Sequence, residues 1–134
     1  MIVACDGASR GNPGPAGAGA YITDGDGSVL AEIAEGLGRV TNNVAEYTAV
    51  IRGLEQAKEL GATDVVLRSD SQLLINQLTG RYRVRTPHLQ PLYRRVRSLG
   101  ASFDSITYEH VRRERNIEAD RLANRGVDEW LAGH

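Results

Sequence analysis

The apolar periodicity of the chain first changes near residue 40, and that change constrains the fold more than any other feature. Before it lie three short apolar runs, at residues 2–8, 17–23 and 28–37, and the last two alternate as half-buried strands do. After it, Val44, Tyr47, Val50, Ile51, Leu54, Ala57 and Leu60 recur at helical spacing, which predicts a helix over 43–60 with Gly61 as its stop. Gly11-Asn12-Pro13-Gly14-Pro15 is a turn-forming cluster. Asp24-Gly25-Asp26-Gly27 carries the Asp-Gly signal of a hairpin. The first three strands are therefore expected to form an antiparallel meander.

The remainder alternates between strand and helix. Residues 64–69 read as a strand and 71–79 as a short helix ended by Gly80. Pro87 and Pro91 bracket the entry to a helix running through Leu92, Val96 and Leu99. Residues 104–111 place Ile106, Tyr108 and His110 on one face and Thr107, Glu109 and Val111 on the other. The last helix runs from about Ile117 to Leu131. The order is βββαβααβα, an α/β sandwich around a five-stranded mixed sheet. At 134 residues the chain suits a single domain spanning 1–134. No apolar run approaches a membrane span, and no basic-then-apolar leader opens the chain. The lone Cys5 sits in an apolar run and reads as a small core residue. A cytoplasmic monomer is the expectation.

Four acids stand where such elements would meet. Asp6 ends the run Ile2-Val3-Ala4-Cys5, and Asp70 ends Val65-Val66-Leu67. Glu46 opens the long helix and Asp120 the last one. Each has an ordinary explanation. Asn43-Val44-Ala45-Glu46 has capping-box spacing, Asp70 before Ser71-Gln72 suits an N-cap, and Asp120 suits a helix dipole. Asp6 resists this treatment, because an acid at the end of a buried strand is costly without a partner. Gathered in one place the four would repel, and hard cations such as Mg²⁺ or Mn²⁺ are what make such proximity tolerable. Paired-metal carboxylate sites serve in-line displacement at phosphorus. The glycine-rich segment lacks the Gly-Lys-Ser/Thr of a phosphate loop, and no Gly-x-Gly-x-x-Gly opens a helix after the first strand.

Net charge is −1, so the chain as a whole is not a basic nucleic-acid binder. Its distribution is uneven: six arginines and no acid lie between Arg81 and Arg97, and Arg112, Arg113 and Arg115 follow. A basic face beside an acidic pocket suits a phosphate-backbone ligand held in one place and cut in another, and a solvated helix face explains the run equally well.

Asp6-Gly7-Ala8-Ser9-Arg10-Gly11-Asn12-Pro13-Gly14, Thr41-Asn42-Asn43-x-x-Glu46, Ser69-Asp70-Ser71-Gln72 and Asn116-x-x-Ala119-Asp120-x-Leu122-Ala123 together resemble the type 1 ribonuclease H family. The compact pattern is similar to the ribonuclease domain of actinobacterial fusions with a phosphatase. The resemblance implies a ribonuclease H-like fold. It also implies an endonuclease that cuts the RNA strand of RNA–DNA hybrids with two Mg²⁺ or Mn²⁺ ions, leaving 5′-phosphate and 3′-hydroxyl ends. Asp6 would bridge the ions and Glu46, Asp70 and Asp120 would complete the ligands. Asn12, Asn42, Asn43 and Gln72 match positions that contact the hybrid in its minor groove, where an amide can read a 2′-hydroxyl. Thr41 with Asn12 matches a pocket for a phosphate of the DNA strand.

Two departures follow from the same resemblance. The basic insertion of many members is reduced here to Arg81-Tyr82-Arg83-Val84-Arg85-Thr86-Pro87, so Arg81, Arg83 and Arg85 are the expected substrate contacts. The loop histidine of many members is replaced by Arg112-Arg113-Glu114-Arg115, which makes Arg113 the catalytic candidate and Arg115 the alternative. Two competing classes are a hybrid- or RNA-binding module without catalysis and another nuclease or recombinase of the superfamily. The intact acidic quartet speaks against the first, and the amide motifs against the second.

Overall fold

In the computed structural model, which describes residues 1–133, the elements follow the expected order. They are β1 (Ile2–Ser9), β2 (Gly14–Thr23), β3 (Val29–Val40), α1 (Asn42–Glu59), β4 (Asp64–Ser69), α2 (Gln72–Leu78), α3 (Gln90–Ala101), β5 (Ser105–His110) and α4 (Ile117–Gly133). The sheet order is β3-β2-β1-β4-β5. β1, β2 and β3 pair antiparallel, while β4 and β5 run parallel to β1, so the sheet is mixed.

The meander turns where Asp-Gly chemistry directs it. Asp24 Oδ1 accepts from the N–H groups of Asp26 and Ser28, and Gly27 adopts φ +87°. β2 and β3 extend beyond the expected 17–23 and 28–37, because the ladder continues to Gly14↔Val40. Around Gly11 and Asn12 the chain turns without breaking that ladder.

Two layers of helix cover the sheet. On one face Val3, Cys5, Ala20, Ile22 and Leu67 pack against Tyr47, Val50, Leu54 and Ala57 of α1 and Val96 and Leu99 of α3. A fully buried side chain of this size contributes about 1.5–3 kcal/mol. The Cys5 thiol lies in this layer beside the Ala49 carbonyl, and burial pushes its pKa far up, so it is an inert core group. On the other face α4 buries Ala119, Leu122, Ala123 and Val127 against β2 and β3. That contact is close: a Cβ at Gly19 would lie 2.4 Å from the Ala119 carbonyl oxygen. Only glycine lets α4 approach so nearly, and the approach carries Asp120 toward β1.

Local ends differ from sequence expectation in instructive ways. Thr41 caps α1, its hydroxyl accepting from Val44 N at 3.3 Å, so Asn43-Val44-Ala45-Glu46 is not a capping box. Ser71 caps α2 in the same manner, which frees Asp70. Leu60 falls on the C-cap and is 41% exposed rather than core. His110 ends β5 exposed, while Ile106 and Tyr108 pack inward. Among the described residues no helix is long and apolar enough to cross a membrane.

Candidate active site

β1 and β4 lie side by side in parallel with Cys5 opposite Ser69. The next residues therefore stand at the same level: Asp6, still paired with Gly19 of β2, and Asp70, the first residue beyond β4. Glu46 approaches from α1, because Gly7 allows contact: a Cβ there would lie 2.3 Å from Glu46 N. Asp120 approaches from α4 on the opposite face. All four acids line one cleft of about 440 Å³, together with Ser9, Arg10, Asn42, Arg113 and Asn124.

The electrostatics are those of crowded negative charge in a partly desolvated place. Asp6 sits at the centre. Burial, the Asp70 charge, a hydrogen bond shared with the Asp120 carboxyl, and the Asp120 and Glu46 charges raise its pKa to about 8. Burial also raises Glu46, against a hydrogen bond donated by the Ser71 hydroxyl, and Asp70 adds to the rise. Asp70 is raised by burial, held back by the Arg113 guanidinium, and raised again by Asp120. Without cations the cleft cannot carry four full charges at neutral pH.

Hard carboxylate oxygens converging from four elements are the donor set that suits Mg²⁺ or Mn²⁺. The arrangement is open rather than a closed chelate. Among the described residues no three His, Cys, Asp or Glu side chains are arranged to hold an ion unaided. Mg²⁺ commonly keeps waters and substrate phosphate oxygens in its shell, which is what an open cleft accommodates.

Of the expected substrate contacts, Asn42 lines the cleft itself. Asn12 lies at its rim, where its Oδ1 accepts from Asn42 N at 3.1 Å. Thr41 stands beside them as the helix cap, and Asn43 is exposed on the first turn of α1. Gln72 is exposed at the start of α2, with Nε2 donating to Asn76. Arg81, Arg83 and Arg85 are exposed on the loop after α2 and do not line the cleft. That loop is anchored by buried Val84, whose carbonyl accepts from Gln90. Arg113 faces the cleft and its charge reaches Asp70, whereas Arg115 lines a separate pocket behind β1. Sequence reasoning gave no role to Arg10 or Asn124. Asn124 Nδ2 donates to the Asp120 carbonyl and carboxylate, and Arg10 pairs with Asp128 and reaches Asn124. The spacing of Asn124 four residues after Asp120 was the available signal.

The reverse transcriptase-like family matches residues 4–126. A ribonuclease H of Halorhodospira halophila is 37% identical over 95% of this chain and 92% of its own length. The chain belongs to the type 1 ribonuclease H family. The N-terminal ribonuclease H domain of Rv2228c from Mycobacterium tuberculosis, solved fused to maltose binding protein, is 48% identical. It superposes with a TM-score of 0.92, covering 94% of this chain and 97% of that one. Rv2228c as a whole is a bifunctional protein, and the chain spans 35% of its length. LC11-RNase H1, solved in complex with an RNA/DNA hybrid, is 38% identical with a TM-score of 0.92, covering 97% of this chain and 98% of that one. The five-stranded mixed sheet with its strand order is thus that of ribonucleases H.

Proposed function

We propose that this chain is one ribonuclease H domain that hydrolyses the RNA strand of RNA–DNA hybrids, leaving 5′-phosphate and 3′-hydroxyl ends. The observation that carries the reading is the convergence of Asp6, Glu46, Asp70 and Asp120 from four elements on one cleft, where burial and the crowded carboxylates push the Asp6 pKa up. In this reading Asp6, Glu46, Asp70 and Asp120 would hold two Mg²⁺ or Mn²⁺ ions. The chemistry that two such ions supply is activation of the attacking water and neutralisation of charge on the leaving 3′-oxygen.

The remaining work falls to the chain's own groups. Asn12 and Asn42, tied by their hydrogen bond at the cleft rim, Asn43 on the first turn of α1 and Gln72 at the start of α2 present amides to 2′-hydroxyls. Thr41 and Asn12 receive a phosphate of the DNA strand. Arg113 faces Asp70 and offsets negative charge where the phosphate enters. Its guanidinium stays protonated, so it cannot act as a general acid or base. Arg81, Arg83 and Arg85 contact phosphates farther along the duplex. The reading takes the domain to work as a monomer in the cytoplasm.

A labelled hybrid incubated with and without Mg²⁺ or Mn²⁺, beside single-stranded RNA, double-stranded RNA and double-stranded DNA, tests the reading. Metal-dependent cleavage of the hybrid's RNA strand alone is expected. Equal cleavage of the three controls, or hybrid cleavage unaffected by EDTA, overturns it.

A further inference from the structure

Asn116, like Ser69 before Asp70, is a polar residue near the cleft with only 2% exposure, and it does not line the cleft. Its connections run to three of the elements that carry the site, β1, the end of β4 and α4, and to the turn that carries Arg113. Its backbone N–H donates to Arg113 O at 2.9 Å, and its carbonyl accepts from Asp120 N at 3.1 Å. Its Nδ2 donates to the Cys5 carbonyl at 2.9 Å, across 111 residues of sequence, one residue before Asp6. The same amide lies against the Asp70 carboxyl and favours its charged form.

The backbone links would persist with any residue at this position. The two side-chain links require a group that offers two protons from one small planar head, which is what a primary amide has. Aspartate would set a further acid against Asp70 and an acceptor against the Cys5 carbonyl. Glutamine carries the same amide one methylene farther from the backbone. Asparagine carries a penalty here as well: its Oδ1 is buried without a hydrogen-bond partner. Buried polar atoms are rarely left unpaired, and one that persists calls for a functional explanation.

We propose that Asn116 is a positioning residue for the carboxylate site, holding the end of β1 and the Asp70 carboxyl at fixed separation while its backbone starts the helix that bears Asp120. The inference rests on the proposed metal-dependent reading of the cleft. Partners behind metal ligands of this kind affect metal affinity by about 10–100-fold when removed.

The test compares Asn116→Ala, Asn116→Ser and Asp70→Asn with the unaltered chain. Mn²⁺ binding to the free protein is measured by calorimetry, cooperative melting in EDTA reports folding, and hybrid affinity is measured in EDTA at low salt. Asn116→Ala is expected to bind Mn²⁺ about 10–100-fold more weakly. Its hybrid affinity in EDTA should stay within about twofold, because the amides and arginines that grip the duplex are untouched. Asn116→Ser keeps one donor and should fall between the two. Mn²⁺ affinity within twofold of the unaltered chain in a cooperatively folded Asn116→Ala overturns the proposal, as does failure of both Asn116 variants to fold. If Asp70→Asn also binds Mn²⁺ normally, the metal reading of the cleft fails. If only Asp70→Asn weakens binding, the role of Asn116 alone fails.

Discussion

Replacing Asp6 with Asn should abolish cleavage and yet stabilise the metal-free protein, increasingly so as pH rises. The Asp6 pKa moves from 3.8 to about 8 on folding. Between those values the folded chain holds a proton that the unfolded chain has released. The stability associated with Asp6 is therefore fully present below 3.8 and is lost as pH rises through about 8. The slope is at most about 1.4 kcal/mol per pH unit. Asn cannot ionise and lacks this slope, while its amide can still donate to Asp120. From pH 5 to pH 8 the advantage of Asp6→Asn should widen by at most about 4 kcal/mol. Glu46, Asp70 and Asp120 share the repulsion and relax, so about half of that is expected, roughly 6–8 °C in Tm for a chain of this size. Thermal and urea melts of both proteins in EDTA at pH 5 and pH 8 measure it. Mg²⁺ should raise the Tm of the unaltered chain more than that of the variant, by mass action on the folded state. Activity should fall by about 10³-fold or more, matching several kcal/mol of lost charge stabilisation. A stability difference equal at the two pH values, or a variant less stable at pH 8, refutes the idea that crowded charge governs this cleft.

Three further outcomes are expected. Gly7→Ala puts a Cβ against the backbone of Glu46 and should destabilise the fold by about 1–3 kcal/mol while weakening Mg²⁺-dependent stabilisation; unchanged melting with and without Mg²⁺ would show that β1 and α1 can separate freely. Arg113→Ala should slow multiple turnover by about tenfold, about 1.4 kcal/mol of barrier. Arg115→Ala, behind the sheet, should leave turnover within about twofold, and a reversal of the pair would remove Arg113 from the mechanism. Changing Arg81, Arg83 and Arg85 together to Ala should weaken hybrid binding and flatten its salt dependence, by up to about 0.9 in log–log slope for each phosphate that is no longer neutralised; an unaltered slope would make this loop an ordinary solvated surface.

Much of the fold was legible because its signals are local. Turn chemistry at Asp24–Gly27, the period change near residue 40 and the stops at Gly61 and Gly80 act within a few residues, and each element formed where its own pattern directed. The four acids stood out as well, since Asp70 follows β4, Glu46 and Asp120 lie in the opening turns of their helices, and Asp6 follows an apolar run, although β1 continues past it to Ser9. Their separate explanations as caps were also local, and there the sequence was ambiguous. Only packing decided that Thr41 and Ser71 do the capping and that Glu46 and Asp70 are left for the cleft. The parallel register of β1 with β4, Cys5 against Ser69, joins segments more than 60 residues apart. Nothing in either segment alone specifies it. Which of Arg113 and Arg115 lines the cleft turned on the short 3-10 turn at Arg113–Arg115, which puts Arg113 on the cleft and Arg115 on a separate pocket. Sequence determined which groups this chain owns and which elements carry them. Tertiary structure decided which groups share a charge environment, because pKa values and metal sites depend on distances between elements that no local pattern encodes.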